Sequence, residues 1–196
     1  MTKNKNIVDI LQEAAGFDPL QKINPNTQDT DKTKMTKTDL LGQAAIPAVL
    51  VGLYKYSRDE NHANDIIRKD ITSDWSNLIF GENKTSVSKE VAEYADIPAD
   101  EANIELKCIA EMAVEKIRET VGENASNVQV KKFFTEQRNN ILLYLPAALK
   151  IGDMIHEPTL DDRTNKMEGP VSNAMHKIEK IFAGSDNPDE KKVNWD

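Results

Sequence analysis

The chain has 196 residues, of which 39% are hydrophobic, 30% are charged and 6% are aromatic, and its net charge is -8. This length suits one ordinary domain with an apolar core, or such a domain plus tails. Glycine and proline are scarce at eight each, which weighs against a sheet protein, because sheets need turn, aromatic and β-branched residues. The acidic balance weighs against nucleic-acid binding and against anionic membranes, since both attract basic proteins.

Cysteine usage and hydropathy indicate the compartment. The single cysteine, Cys108, cannot form an internal disulfide, which suits a reducing compartment. It lies on the apolar side of a predicted helix, so we expect it in the core. Residues 7–20 carry acidic side chains and lack the pattern of a signal peptide. The longest uncharged run, 40–54, has 15 residues, fewer than the roughly 20 that span a bilayer. We expect a cytoplasmic protein without a transmembrane span.

The N-terminal region divides into a helix and a polar segment. Within residues 1–20, the apolar side chains of Ile7, Ile10 and Leu11 recur at helical spacing and predict an amphipathic helix. Residues 21–37 are nearly devoid of apolar side chains and predict a flexible linker, because they bury too little to offset their ordering entropy. The first helix would then be a tethered element that docks on its own chain or on a second copy.

A helical domain is predicted over residues 38–183. Its first helix, 40–56, is apolar on all sides, which is typical of a helix surrounded by others. Pro47 lies inside this helix, and a proline there kinks or breaks it. Two structures stay open: one kinked helix, or one helix ending near Ala45 and another beginning at Pro47. Short helices are then predicted at 59–69, 73–80 and 85–95.

The clearest helical pattern covers residues 99–121. Apolar side chains recur there at steps of three and four residues, and acidic side chains occupy the other faces. Gly122 ends the pattern. The predicted apolar stripe consists of Ala102, Leu106, Ile109, Ala110, Ala113, Ile117 and Val121.

The C-terminal half contains a second proline within an apolar helix. A helix over 126–155 is predicted with an interruption at Pro146, and then a last helix at 170–182 and a disordered tail at 184–196. The residues around Pro47 and Pro146 are locally similar, which indicates either an internal pseudo-repeat or a coincidence between two Ala/Leu-rich helices. The whole pattern predicts an all-α bundle of about seven to nine helices with two proline-interrupted apolar helices.

Two motifs resemble a known family. Residues 46–53 read Ile-Pro-Ala-Val-Leu-Val-Gly-Leu, and residues 91–102 read Val-Ala-Glu-Tyr-Ala-Asp-Ile-Pro-Ala-Asp-Glu-Ala, ahead of a long helix. Over about residues 38–155 the chain resembles the YidB-like proteins, small all-helical bacterial domains of unknown function. It departs from that pattern by lacking glycine-rich stretches and by adding residues 158–182. The resemblance implies a helical fold and implies no reaction.

Residues 91–110 have the rhythm of a helix–turn–helix motif. In such motifs the beginning of the second helix faces the DNA bases. That part of the chain carries Asp100, Glu101 and Glu105, with Lys107 the nearest base, and carboxylates repel phosphates. We therefore favour a plain αα-hairpin and disfavour nucleic acid as a partner.

One set of side chains has metal-ligand chemistry. Asp153, His156 and Glu157 stand at positions i, i+3 and i+4, and a carboxylate with an imidazole can hold a divalent metal. A surface or helix-terminal histidine is the simpler interpretation. The sequence contains no phosphate-binding loop, nucleophile motif or paired-cysteine metal motif. We therefore expect no cofactor and no catalytic residue, and we favour a non-enzymatic protein.

The preferred functional hypothesis is a helical module for protein interaction or self-association. Its candidate residues are Ile7, Ile10 and Leu11 of the tethered helix. Trp195, in the acidic tail, either anchors a partner, as interface aromatics do, or is exposed and inert. The alternatives are peripheral membrane association through the proline-interrupted helices, nucleic-acid binding through residues 91–110, and a metal-dependent enzyme.

Overall fold

The computed structural model of the chain describes residues 6–68, 74–122 and 124–155. Within these ranges the regular structure is helical, and the β-bridge between Asn24 and Asp29 is isolated. The all-α prediction is confirmed. The α-helices are α1 (Ile7–Ala15), α2 (Lys37–Tyr56), α3 (Glu60–Ile67), α4 (Trp75–Phe80), α5 (Lys84–Ala95), α6 (Ala99–Val121), α7 (Asn127–Leu142) and α8 (Ile151–Met154), and short 3-10 helices cover Lys32–Lys34, Gly81–Asn83 and Ala147–Leu149.

The central helix is α2, which is buried without a break from Leu41 to Leu53. A capping box begins it: the Thr36 hydroxyl accepts from the Asp39 N–H, and the Asp39 carboxylate accepts from the Thr36 N–H. Of the two structures left open for Pro47, the observed one is a single continuous helix. Helices α4, α5, α6 and α7 all pack against α2. This packing on all sides explains why α2 carries apolar side chains on all of its faces.

The long helix α6 buries most of its predicted stripe, and Cys108 lies outside that stripe. The prediction that Cys108 belongs to the core is wrong, because its side chain is exposed. A helix turns about 100° per residue, so the position two residues after the buried Leu106 faces away from the core. Ile104, one turn before Cys108, is exposed to 61%. The buried side chains of α6 are Ala102, Leu106, Ile109, Ala110, Ala113, Val114 and Ile117.

The two proline segments have different backbone conformations. Pro47 lies inside α2, whereas Pro146 is extended and precedes the 3-10 helix Ala147–Leu149. Lys150 follows in a left-handed conformation with φ of 48°. Between α7 and α8 the chain is therefore interrupted, as predicted at Pro146, whereas the predicted interruption at Pro47 does not divide α2.

Several predicted features lie outside the described residues. They are the last helix at 170–182, the tail at 184–196 with Trp195, and the part of the predicted domain beyond residue 155. In the portion of the chain that is described, no helix combines the length and the apolar character needed to cross a membrane.

Candidate functional site: the docked N-terminal arm

Residues 6–21, called the arm below, consist of α1 and the segment that follows it. The side chains of Ile7, Val8 and Leu11 are completely buried. Helix α1 packs against α2, α6 and α7. The surface that these three helices form beneath α1 is called the groove below. Ile10 is partly buried against the same core. The structure therefore docks Ile7, Ile10 and Leu11, three of the four predicted interaction residues, on their own chain, whereas Trp195 lies outside the described residues.

Local capping explains where α1 begins and ends. The Asn6 side chain accepts a hydrogen bond from the Val8 N–H at 3.1 Å, which satisfies one of the free donors of the first turn. Gly16 ends the helix with φ of 75°, and its N–H and that of Phe17 donate to carbonyls of the last turn. The chain then turns sharply and continues along the domain.

Buried glutamine side chains fasten both ends of the arm. Gln137 of α7 is 1% exposed, and its Oε1 accepts from the Ile7 N–H at 3.2 Å. Gln12 of α1 is 9% exposed, and its Oε1 accepts from the Leu20 N–H at 2.9 Å. The first contact binds the arm to the domain, and the second holds the end of the arm to its own helix.

Gln43 makes the most demanding of these contacts, because its side chain is completely buried in the middle of α2. Its Oε1 accepts from the Gln21 N–H at 2.8 Å, and its Nε2 donates to the Gln21 carbonyl at 3.0 Å and to the Tyr144 carbonyl at 2.7 Å. Buried amides cost stability when they lack partners. Undocking the arm would remove two of these three hydrogen bonds, so Gln43 favours the docked state.

Phe17 adds an apolar contact between the arm and α2. A Cβ atom built on Gly42 would lie 2.8 Å from the Phe17 ring, closer than real Cβ contacts occur. Gly42 therefore lets the ring rest directly on the α2 backbone. A side chain at this position would push the arm away from α2.

Residues 22–36, called the connector below, join the arm to α2. The predicted flexible linker 21–37 covers the same region, yet the connector makes specific contacts with the domain. The Ile23 N–H donates to the Leu143 carbonyl at 2.8 Å, and the Ala147 N–H donates to the Gln28 carbonyl at 3.1 Å. These backbone contacts do not depend on apolar side chains, which is why the polar composition gave no sign of them.

A polar cluster at the end of α5 holds the second half of the connector. The Tyr94 hydroxyl donates to Asp29 Oδ1 at 2.6 Å and lies 3.0 Å from Thr30 Oγ1. Lys32 pairs with Asp29 at 3.0 Å and places its ammonium 3.6 Å from the centre of the Tyr94 ring, a cation–π contact. The cluster thus joins three connector residues to one tyrosine of the domain.

The same cluster shifts the ionisation of its members. Burial by itself would raise the pKa of Asp29, but hydrogen bonds from Tyr94, Lys32 and Thr30 outweigh it, and the pKa is lowered. Burial and the hydrogen bond to Asp29 raise the pKa of the Tyr94 phenol. At neutral pH the pair therefore consists of a carboxylate and a neutral phenol, which is the combination that the short hydrogen bond requires.

A charged contact between α2 and the end of α5, called the clasp below, lies where α2 begins. The Lys37 ammonium donates to the Asp96 carbonyl at 2.6 Å and pairs with the Asp96 carboxylate at 2.7 Å. Asp96 ends α5 in a left-handed conformation with φ of 54°. Both side chains border a small cleft of about 210 Å³ whose other walls include Leu41, Ile97 and Pro98.

An aromatic cluster joins α2, α3 and α4 at another part of the domain. The Tyr56 and His62 rings stack with centroids 4.2 Å apart, and the Trp75 ring meets Tyr56 edge-on at 6.2 Å. The Tyr56 hydroxyl donates to Asp65 at 3.1 Å, and burial and then this hydrogen bond raise the pKa of Tyr56 to about 12. Trp75 is therefore a contact between α2 and α4.

The predicted metal site is only partly visible. Asp153 lies in α8, whereas His156 and Glu157 lie outside the described residues, so this site stays a prediction. Over residues 6–68, 74–122 and 124–155, no group of three His, Cys, Asp or Glu side chains is arranged to hold a metal ion.

The predicted helix–turn–helix region, 91–110, consists of the end of α5, a turn and the first half of α6. Asp100, Glu101 and Lys107 are exposed there, and Glu105 is half-buried. The surface that would face DNA is thus largely acidic, which agrees with the αα-hairpin interpretation.

Sequence reasoning missed the polar residues that hold the arm. Of these residues, only Gln43 could have been identified from the sequence. It is the one amide side chain in the uncharged run 40–54, and a buried amide needs hydrogen-bond partners. Gln12, Gln137 and Tyr94 carry no such signal, since each belongs to an ordinary amphipathic pattern.

The chain matches no protein-family model, no curated protein and no solved structure. The resemblance to YidB-like proteins therefore stays a prediction.

Proposed function

We propose that this protein is a non-enzymatic self-association module in which the arm of one copy docks in the groove of a second copy. The observation that carries the proposal is the mode of docking of α1. Its buried face, Ile7, Val8 and Leu11, enters a groove made by other helices of the domain. Identical contacts form whether the arm and the groove belong to one chain or to two, which is the condition for exchange between copies.

Energetics support an arm that is stable when docked. Fully burying an aliphatic side chain contributes roughly 1.5–3 kcal/mol, and three such side chains of α1 are completely buried. The arm therefore needs a groove, on its own chain or on another. In exchange, both copies keep these contacts, so the balance between monomer and dimer is set by protein concentration and by the connection.

The reach of the connection is sufficient for exchange. The connector has 15 residues, 22–36, and an extended chain spans at most about 3.3–3.6 Å per residue. A released connector therefore covers up to about 50 Å, enough to carry the arm onto an adjacent copy.

We further propose the finer features that the sequence predicts. They are a single bundle of about seven to nine helices over the whole chain, a pseudo-repeat around Pro47 and Pro146, kinship with YidB-like proteins, and a cytoplasmic location. Among the alternative functions, nucleic-acid binding through 91–110 is the weakest, because Asp100 and Glu101 are exposed where phosphates would lie.

Light scattering after refolding tests the proposal. The wild-type chain, unfolded in denaturant and refolded at high protein concentration, is expected to contain a species of twice 22.0 kDa, whereas refolding at low concentration gives monomer. Leu11→Asp places a charge in the groove and should abolish the dimer. Glu13→Lys, a charge change at an exposed position of the same helix, is the matched control and should leave the dimer intact.

Two results would sink the proposal: a wild-type chain that stays monomeric at every refolding concentration, or a dimer that persists in Leu11→Asp. Circular dichroism of each variant establishes whether it remains helical. If Leu11→Asp does not fold, Ile7→Asp replaces it, because it places a charge at the beginning of the same completely buried face of α1 and should likewise abolish the dimer.

A further inference from the structure

Residues 24–29 of the connector form a tight turn that is closed by hydrogen bonds within this segment, and the Gln28 carbonyl also accepts from the Ala147 N–H of the domain. Over residues 24–29 the Asn24 N–H donates to the Asp29 carbonyl at 3.1 Å, and the Gln28 N–H donates to the Asn24 carbonyl at 2.7 Å. The Asn24 side chain accepts from the Asn26 N–H at 2.9 Å. Residues 24–27 are exposed, so water can replace each of these hydrogen bonds when the turn opens.

Gln28 adopts a left-handed conformation with φ of 58°. Residues other than glycine and, at times, asparagine or aspartate avoid this conformation, because the side chain crowds the backbone. The closed turn therefore holds Gln28 in an unfavourable state that an extended chain would release.

The two sides of the turn are attached to different places. Upstream, the Leu20 N–H is bonded to Gln12 within the arm, and Phe17 lies on Gly42. Downstream, Asp29 is fixed to Tyr94 of the domain. A break before the turn would have to separate residues that are bonded to α1, and a break after it would have to dismantle the Tyr94 cluster.

We propose that the turn at residues 24–28 is the hinge of arm exchange. This inference rests on the proposed function. It adds the point at which the chain opens and the backbone strain at Gln28 that favours the exchanged form. On opening, the arm and Ile23 leave together, the Tyr94 cluster stays on its own copy, and the turn straightens. Release of the left-handed Gln28 favours the open, exchanged form, whereas the lower entropy of a dimer opposes it.

Substitutions at Gln28 test the hinge without touching the arm or the groove. Gln28→Gly removes the crowding in the closed turn, so the dimer fraction after refolding should fall; Gln28→Val increases the crowding and should raise it. A left-handed residue costs enough to change the equilibrium constant roughly five- to thirty-fold. The hydrogen bond from Ala147 uses the Gln28 backbone carbonyl, so both variants retain it.

Two changes of length test the same hinge. Deleting residues 25–27 leaves one residue between the bridge partners Asn24 and Asp29, which strains the reversal of the chain, so the dimer fraction should rise even at low concentration. Inserting five Gly/Ser residues after Asn26 relaxes the turn and should favour monomer, since short strained hinges invite exchange.

The results separate the hinge from the proposed function. If no variant dimerises, including the 25–27 deletion, the proposed function fails and the hinge fails with it. If dimers form that Leu11→Asp abolishes, but Gln28→Gly and Gln28→Val leave their fraction unchanged, the function stands and the hinge is wrong. If the 25–27 deletion does not fold, the dimer fractions of Gln28→Gly and Gln28→Val still test the hinge, because neither substitution shortens the chain.

Discussion

The first two helices are both rich in buried apolar side chains, but they are buried in different ways. α2 is enclosed on all sides from Leu41 to Leu53, whereas α1 has nine residues and buries one face. α2 therefore cannot leave without unfolding the domain. α1 can leave as a unit, because the groove on which it rests is made by other helices, and polar side chains hold its ends.

This difference suggests a division of labour between the two helices. A helix enclosed by its neighbours sets the stability of the fold, and a helix docked by one face can be exchanged at small net cost. Substitutions in α1, in α2 and in the contacts that hold the arm and the connector test that difference.

Truncation of a core leucine should be costlier in α2 than in α1. Leu50→Ala leaves a cavity enclosed by several helices, and we expect it to lower the free energy of unfolding by about 2–5 kcal/mol. Leu11→Ala should fall near the lower end of that range, because α1 can move to fill part of the cavity. Urea denaturation measures both values, and a larger loss for Leu11→Ala would contradict the comparison.

Loss of the Gln43 amide should weaken the contact between α2 and the arm. Gln43→Leu leaves the Gln21 N–H and the Tyr144 carbonyl without their partner, and an unsatisfied buried polar group costs about 1–3 kcal/mol. Hydrogen exchange should also become faster throughout the arm.

The control for this substitution is Gln21→Ala. Gln21 contacts Gln43 only through its backbone, and its side chain is exposed, so this change should stay within about 0.5 kcal/mol of wild type. If the two variants are equally stable, the Gln43 contact does not hold the arm.

Tyr94→Phe should have a smaller effect, about 0.5–1.5 kcal/mol, because it removes one hydrogen bond to Asp29 and retains the ring. A double-mutant cycle with Asp29→Asn measures the coupling, which we expect to exceed about 0.5 kcal/mol, as is usual for residues in contact. An additive pair would show that the hydrogen bond between Tyr94 and Asp29 does not stabilise the connector.

The contribution of Tyr94 should also depend on pH. Its pKa in the folded state is raised above the ordinary value of 10.0, so the folded state favours the neutral phenol. The stabilisation is therefore complete below pH 10 and is lost as the pH rises through the folded pKa. Wild type should approach the stability of Tyr94→Phe in strongly alkaline solution, and a constant difference between pH 8 and pH 12 would contradict this assignment.

The clasp between Lys37 and Asp96 should have the smallest effect. Their side chains are 63% and 86% exposed, and exposed ion pairs contribute little and are screened by salt. Lys37→Gln should change the denaturation midpoint slightly at low salt and not at all at 1 M salt. A large, salt-insensitive loss would mean that the clasp is a structural contact of a different kind.

Sequence reasoning recovered the features that depend on apolar periodicity. The all-α class, the enclosure of α2 and the stripe of α6 all follow from the spacing of apolar side chains, because that spacing decides which face is buried. It failed at Cys108, since an apolar residue beside a stripe is not necessarily part of it.

The site was less predictable than the fold. Ile7, Ile10 and Leu11 could be chosen from their pattern, but the partners that hold the arm lie far away in the sequence, as Gln137 does from Ile7. The connector was predicted to be a flexible linker because its composition is polar. The connector is attached to the domain by backbone hydrogen bonds and by Tyr94. Neither kind of contact can be predicted from the amino-acid composition of the connector.

The most direct test of arm exchange is a disulfide between two copies. Ile7 and Gln137 are adjacent in the docked arm, with the Ile7 N–H 3.2 Å from the Gln137 side chain. In a Cys108→Ser background, one copy carries Ile7→Cys and the other Gln137→Cys, and the two are refolded together at high concentration and oxidised. A single chain carrying both substitutions is the control for closure in cis. Exchange predicts a covalent dimer containing one copy of each kind; copies that remain separate, while the control closes within one chain, would contradict it.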